Sequence, residues 1–320
     1  MKPRIRHIAL ILALVALING CRHTPSDHIL IGIPDGPSVI SMIRLIDNPP
    51  VIDGRKVKFI VKPEPMQIQS MIMQQQLDFA ILPTVMAANL YNKDVDYRLL
   101  AIPVWGTLYV VTSDSTIHDT SDLHNRVIHI FGQGATADVL FRHYMAAKQL
   151  EDLQINYSFT TNQEIALAML NRKINTAIVS EPLVSMLISK DPRIKIISEL
   201  TIEAGHQPLQ TNLFAQTALL VKSGFATDNA EIVNKLLSHV EASCLFTTLQ
   251  PEKTAQLLQE HNYTDDIGTA MRSIPLCNIN FVRASAIRDE IDRYLNIFYS
   301  FDPASIGGKI PDEAFIVNEE

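Results

Sequence analysis

Residues 127–140 read Val-Ile-His-Ile-Phe-Gly-Gln-Gly-Ala-Thr-Ala-Asp-Val-Leu: a short β-branched run, a turn holding two glycines, then the first apolar positions of a helix. A strand that passes through a tight turn into a helix is one βα unit. The unit recurs on both sides. β-Branched and apolar runs at 28–33, 57–61, 78–82, 97–103, 155–159, 176–179 and 195–198 are separated by loops of Gly, Pro, Ser, Thr or Asp, and helical apolar spacing fills most of the intervals. This alternation predicts an α/β fold with largely parallel sheets. Pro65 stands where a first helical turn tolerates proline, with Ile68, Met71 and Ile72 following at helical spacing. Thr161-Asn162-Gln163-Glu164 and Asp228-Asn229-Ala230-Glu231 each have the form of a capping box that opens the next helix.

Two extended segments interrupt the pattern, residues 105–112 and 217–221, and each follows a completed set of βα units. They read as crossovers between two lobes. The first lobe is expected over 28–106 together with a mostly helical return over 214–320, and the second over 107–213.

The chain has 320 residues, 47% of them hydrophobic and 19% charged, which excludes a disordered or low-complexity polypeptide. A folded chain of about 300 residues buries roughly 75% of the surface it exposes when unfolded, so no disulfide or metal staple is required. The formal charge is −7. Beyond the first residues there is no Lys/Arg cluster, and a nucleic-acid partner, whose phosphates demand a basic face, is set aside.

The N-terminus is an address. Lys2, Arg4 and Arg6 precede an unbroken apolar run over 8–18, the pattern of a secretory signal. Eleven helical residues at about 1.5 Å each span roughly 16 Å, half the hydrocarbon core of a bilayer, so the run does not predict a spanning helix. Ile18-Asn19-Gly20-Cys21 resembles the bacterial lipobox. That resemblance implies removal of residues 1–20, acylation of Cys21 with palmitate-like chains, a tether over 21–27, and an exported protein held to a bacterial membrane by lipid, facing the periplasm. Cys244 and Cys277 then remain; in an oxidising compartment they either pair or stay as buried thiols.

In open parallel α/β sheets, ligands bind beyond the carboxyl ends of strands, where helix N-termini offer free N–H groups. Four loops fit: 34–38 with Asp35 and Gly36, 82–84 with Pro83 and Thr84, 132–136 with Gly134, Ala135 and Thr136, and 180–182 with Glu181. Two belong to each expected lobe, so closing the lobes would gather all four around one cleft. Residues 132–137 also match the G-x-G-x-x-A form of a dinucleotide fingerprint. A ribose-binding acid is expected at the end of the next strand, however, and residues 155–159 lead to Thr160-Thr161 instead. The remaining reading is a backbone cradle for the anionic or electronegative edge of a small solute.

Glu181 either accepts a hydrogen bond from a ligand amine or hydroxyl or favours its own helix N-terminus; Asp35 either does the same or forms a turn. Trp105, the single tryptophan, either floors the cleft and stacks on a planar ligand or packs the hinge. None of the four loops contains Lys or Arg, which favours a neutral, zwitterionic or weakly anionic solute. The loops hold no nucleophile with its base, no metal-spaced histidine pair and no close carboxylate dyad, so the chain does not read as an enzyme and no cofactor or metal is expected.

The lipobox, the strand entering Pro34-Asp35-Gly36-Pro37, residues 76–83 (Gln-Leu-Asp-Phe-Ala-Ile-Leu-Pro), 122–140, 177–182 (Ala-Ile-Val-Ser-Glu-Pro), 217–221 (Thr-Ala-Leu-Leu-Val) and 305–312 (Ser-Ile-Gly-Gly-Lys-Ile-Pro-Asp) together resemble the solute-binding lipoproteins of ABC importers. The similarity is to the nitrate/sulfonate/taurine and thiamine-pyrimidine-precursor binding group. It implies a two-lobed type II periplasmic-binding fold, a monomer that closes by a hinge on a sulfonate-, taurine-, nitrate- or pyrimidine-like solute, and delivery to a membrane permease with a cytoplasmic ATPase. Carried over residue by residue, it places Asp35, Gly36, Pro83, Thr84, Gly134, Ala135, Thr136 and Glu181 in the cleft. Two other readings stand beside import: an enzyme on the same bilobed fold, of menaquinone- or thiamine-pathway type, and a lipoprotein that senses or scaffolds.

Overall fold

The computed structural model describes residues 27–150, 153–200 and 214–317. The expected signal segment, Cys21 and the tether up to residue 26 lie outside the described residues.

The first sheet starts with β1 (His28–Pro34), followed by α1 (Pro37–Asp47), the short β2 (Val51–Ile52), β3 (Arg55–Lys62), α2 (Pro65–Met73), β4 (Phe79–Pro83), α3 (Thr84–Asn92) and β5 (Tyr97–Val104). Three residues later the chain enters the second sheet with β6 (Leu108–Thr112), β7 (Val127–His129), α4 (Thr136–Ala147), β8 (Gln154–Asn156), α5 (Asn162–Leu170), β9 (Thr176–Ser180), α6 (Leu183–Lys190) and β10 (Lys195–Glu199). It returns to the first sheet as β11 (Thr217–Lys222). There follow α7 (Ser223–Asp228), α8 (Ala230–Leu249), α9 (Pro251–Glu260), α10 (Ile267–Leu276), β12 (Ile279–Arg283) and α11 (Arg288–Phe301). The sheets run β12-β5-β11-β4-β1-β3-β2 and β10-β6-β9-β7-β8. Two sheets flanked by helices give the α/β, two-lobed architecture expected from the alternation.

β1 pairs in parallel with β3 and β4, and β7 in parallel with β8 and β9. β6 and β11 run antiparallel to both of their neighbours. These two strands contain the segments read as crossovers. Each is in fact the strand of the sheet it enters, reversed because the chain arrives from the other lobe; the chain itself passes between sheets at 105–107 and between β10 and β11.

Packing follows the strand period of two. Ile29, Ile31 and Ile33 point to one face of β1 and are buried with Val39 and Ile43 of α1 and Leu236 and Val240 of α8. On the opposite face a Cβ on Gly32 would stand 2.4 Å from Leu77 Cδ1, so only glycine lets the loop before β4 lie this close. The second sheet buries Tyr109, Val111 and Val179 against Ile165 and Leu187. Each such aliphatic side chain, fully removed from water, contributes about 1.5–3 kcal/mol before chain entropy is set against it.

Local signals met different fates. Thr161 caps α5, its hydroxyl accepting from Glu164 N–H at 3.1 Å, while the Glu164 carboxylate takes Thr160 N–H at 2.7 Å, one residue earlier than a reciprocal box requires. The box at 228–231 does not form. α7 runs directly into α8, and Asn229 Nδ2 donates back to Phe225 O at 3.0 Å. Cys244 and Cys277 are free and buried, on α8 and just after α10, each packed into the first-lobe core.

Candidate functional site

A cleft of about 880 Å³ lies between the carboxyl ends of the two sheets. From the first lobe come Asp35, Gly36 and Pro37 at the start of α1, Pro83 at the end of β4, and Gln216 just before β11. From the second come Phe131, Thr136, Asn162, Ser180 and Glu181. Thus Asp35, Gly36, Pro83, Thr136 and Glu181 share one cavity, which strand-end placement predicts and sequence spacing alone cannot.

Four expected residues sit elsewhere. Thr84 is buried behind the wall: its Oγ1 donates to Ala215 O at 2.6 Å and its N–H to Gln216 O at 2.9 Å, fastening α3 to the returning chain. Gly134 and Ala135 belong to the turn but are not among the described lining residues, which in this segment are Phe131, Thr136 and Ala137. Trp105 does not floor the cleft. Its Nε1 donates to Asn280 O at 2.7 Å, and the ring is 5% exposed beside a separate cavity of about 400 Å³ with Ile274, Pro275 and Asn278. The crossing at 105–107 carries the indole to the back of the hinge, so hinge packing is what it does.

The backbone cradle is also altered. Gly134, at φ +75°, donates its N–H to Asp138 Oδ2 at 2.8 Å, and Asp138, fully buried in the first turn of α4, also accepts from Arg142 Nε at 2.9 Å and Tyr157 Oη at 2.6 Å. The anion that this helix N-terminus favours is supplied by its own helix. At α1, Gly36 N–H is taken by Asp35 Oδ1 at 2.7 Å. At α10, Asp266 accepts from Gly268 N–H at 2.9 Å.

Glu181 is the deepest charged group of the cleft, 1% exposed. Its N–H donates to Thr107 O, and its Oε1 accepts from Ser185 Oγ at 2.9 Å. Burial pushes its carboxyl up to about 7, against which hydrogen bonds from Ser185 and from Ser273 of α10 pull weakly. α6 and α10 pack on one another, so Glu181 lies where the second lobe meets the helical return. Beside it, Asn162 Nδ2 reaches Ser180 Oγ at 3.2 Å. Across the cleft, burial and then the Asp35 charge raise the Tyr263 hydroxyl above the ordinary tyrosine value.

The residues that sequence reasoning missed are Gln216, Asn162 and the face formed by Tyr263, Thr269 and Ser273. Asn162 was visible only as part of a helix cap. The other face comes from the helical return, whose apolar spacing marks helices but carries no motif. Among the described residues no group of three His, Cys, Asp or Glu side chains could hold a metal ion.

No family model and no curated protein matches the chain. Among solved structures it is similar to an ABC transporter from Parabacteroides distasonis, at 31% identity and TM-score 0.82, covering 92% of this chain and 100% of that one. It is also similar to the periplasmic aliphatic sulphonate binding protein SsuA of Escherichia coli, at 15% identity and TM-score 0.69 over 90% and 95% of the two chains. The alkanesulfonate-binding protein SsuA of Xanthomonas axonopodis pv. citri, bound to MOPS, matches at 13% identity and TM-score 0.64 over 91% and 96%. The latter two share the fold with this chain; the first also shares enough sequence over its whole length to place the family. By that similarity the chain belongs with the ABC-transporter proteins of the first structure, and its two sheets meeting at one cleft give it the fold of the periplasmic binding proteins.

Proposed function

We propose that this protein is the lipid-anchored binding component of an ABC importer, capturing a small polar solute between its lobes and passing it to a membrane permease driven by a cytoplasmic ATPase. The observation that carries this reading is the 880 Å³ cleft, whose wall is contributed by strand ends of both sheets. A solute that touches both walls favours the closed arrangement, because only closure lets it make both sets of contacts. Cys21 would carry the lipid, and the acidic remainder of the chain, repelled by anionic headgroups, would not hold the membrane without it. The protein would act as a monomer.

The test uses full-length protein purified in detergent and titrated with bacterial metabolite fractions, followed by melting temperature. A saturable rise confined to one fraction is the expected result. Glu181→Ala and Thr136→Val, folded as judged by circular dichroism, should each weaken that binding. Unchanged melting across all fractions would overturn the reading, and unchanged affinity in both variants would overturn the site.

A further inference from the structure

The chain that leads back to Cys21 leaves the first sheet beside an edge of unusual composition. Asp27 O accepts the Lys56 N–H at 3.0 Å, and the parallel register sets His28 beside Lys56 and Leu30 beside Lys58. On the other flank of β3, Val51 of β2 stands opposite Lys56. Partners across a ladder project to one face, as do residues two apart along a strand, so Val51, Lys56 and Lys58 share one side of the sheet. A Cβ on Gly32, which belongs to the same alternation, would meet Ile68 of α2 and Leu77, so this is the side on which α2 packs.

Two features mark this side. Lys56 and Lys58 are exposed and enter no ion pair among the described residues. The acids near them are engaged: Asp78 turns inward to accept the Leu30 N–H at 2.8 Å, and Asp53 pairs with Lys235 of α8 at 2.6 Å. Asp27 remains exposed where the chain enters β1, and residues 65–77 hold no charged side chain. Large apolar side chains are also left in water. Val51, Met66 and Met73 are 65%, 68% and 60% exposed, and Met66 and Met73, seven residues apart, lie on one face of α2. The length of chain before β1 says what covers them. Cys21 precedes Asp27 by six residues, which at about 3.6 Å each span at most roughly 22 Å. With lipid on Cys21, Lys56 stays about that close to the bilayer.

We infer that the α2 side of the first sheet is the surface that lies against an anionic bilayer, with Lys56 and Lys58 on its phosphates and Val51 and Met73 at the headgroup boundary. The inference rests on the lipid anchor proposed above and adds an orientation to it. Each lysine held at such a surface favours contact by about fivefold in the binding constant, and the apolar side chains gain by leaving water. The chain as a whole is acidic, so repulsion elsewhere and attraction here select one way of lying on the membrane. α2 starts at the cleft, where Pro63, Glu64 and Pro65 line the wall. A bilayer on this side therefore holds the rim of the cleft toward the plane in which a permease sits.

The experiment adds the full-length protein to preformed vesicles of phosphatidylcholine, alone or mixed with phosphatidylglycerol. Intact mass first reports whether Cys21 carries acyl chains. Lysine acetylation and methionine oxidation, read by peptide mass spectrometry, then report exposure. Lys56 and Lys58 should acetylate, and Met73 oxidise, about threefold more slowly on the phosphatidylglycerol vesicles, and about 1 M salt should remove the difference by screening. Lys253 should react equally on both, because α9 packs with Ile29 and Ile31 on the opposite side of the sheet. The double variant Lys56→Glu, Lys58→Glu should stay on the vesicles through its lipid and show the same Met73 oxidation on both. Equal rates at Lys56, Lys58 and Met73 in the lipidated parent would overturn the inference and leave the anchor standing. Met73 protection that persists in the double variant would overturn the assignment to the lysines. A protein without the acyl mass would overturn the anchor, and the inference with it.

Discussion

Thr107 and Gln216, 109 residues apart in sequence, exchange two hydrogen bonds: Thr107 N–H donates to Gln216 Oε1 at 2.9 Å, and Gln216 Nε2 donates to Thr107 Oγ1 at 3.1 Å. One lies in the outgoing passage between the sheets and the other in the returning passage, so the pair ties both hinge strands together at the edge of the cleft. Gln216→Ala leaves the buried Thr107 amide without its partner, and the cost of such a group is about 1–3 kcal/mol. The variant should melt several degrees lower than the parent in a calorimetric scan. An unchanged melting temperature would show that the tie is replaced by water at no cost.

Asp138 holds three donors at once, from Gly134, Arg142 and Tyr157, with no exposed surface of its own. Asp138→Ala should destabilise the protein by about 2–4 kcal/mol, below the range for a fully buried pair because Arg142 is partly solvated. Asp138→Asn should recover part of this, since its carbonyl still accepts. Urea unfolding of the two variants measures both quantities; equal losses would mean that the charge and not the acceptor matters.

Glu181 makes stability depend on pH. Its carboxyl is raised from 4.5 to about 7 in the folded protein, first by burial, so between those values the folded state keeps a proton that the unfolded chain has released. Stability from this group therefore falls as pH rises through that window, by about 3 kcal/mol at most. Glu181→Gln should flatten the fall and be the more stable form at pH 8. Chemical denaturation of both proteins at pH 5 and pH 8 tests the sign.

Trp105 reports on the hinge without touching the solute. It is the single tryptophan, packs behind the cleft, and donates to Asn280 O from the passage between sheets. Solute binding should change its emission saturably, with the same midpoint as calorimetry, and Trp105→Phe should abolish the signal while preserving affinity within a few-fold. Emission that stays flat during calorimetric saturation would mean that the lobes do not move on binding.

The thiols give a count. Cys244 is pushed up to about 12 by burial, and Cys277 higher still by burial and the nearby Glu181. Neither should react with a thiol reagent in the native protein. In denaturant two thiols should appear without reductant if Cys21 carries the lipid proposed for it. A count of three would mean an unmodified Cys21, and a count of zero a disulfide between the other two.

Much of the fold was legible because βα alternation is a local property: β-branched runs, turn residues and helical spacing are each read over fewer than twenty residues. The two shortest-range failures have physical causes as well. The box at 228–231 is overridden because α7 abuts α8 and Asn229 turns back to Phe225, and β12 follows a helical pattern closely enough to hide within it. The site was legible to the extent that strand ends define it: Asp35, Pro83, Thr136 and Glu181 all reach the cleft. Thr84 and Trp105 stand next to such positions and point elsewhere, a distinction set by one residue of register.

The sequence by itself determined the α/β class, the order of its units and the loops that end its strands, because these follow from periodicity and turn chemistry along the chain. Tertiary structure decided the character of the cleft. Whether a glycine amide is free depends on a carboxylate folding back onto it, as Asp138 does to Gly134. Whether Glu181 titrates near neutrality depends on burial by α10, a helix some ninety residues further along. Hydrogen-bond satisfaction and desolvation are sums over neighbours in space, and no reading along one chain contains those neighbours until the lobes are packed.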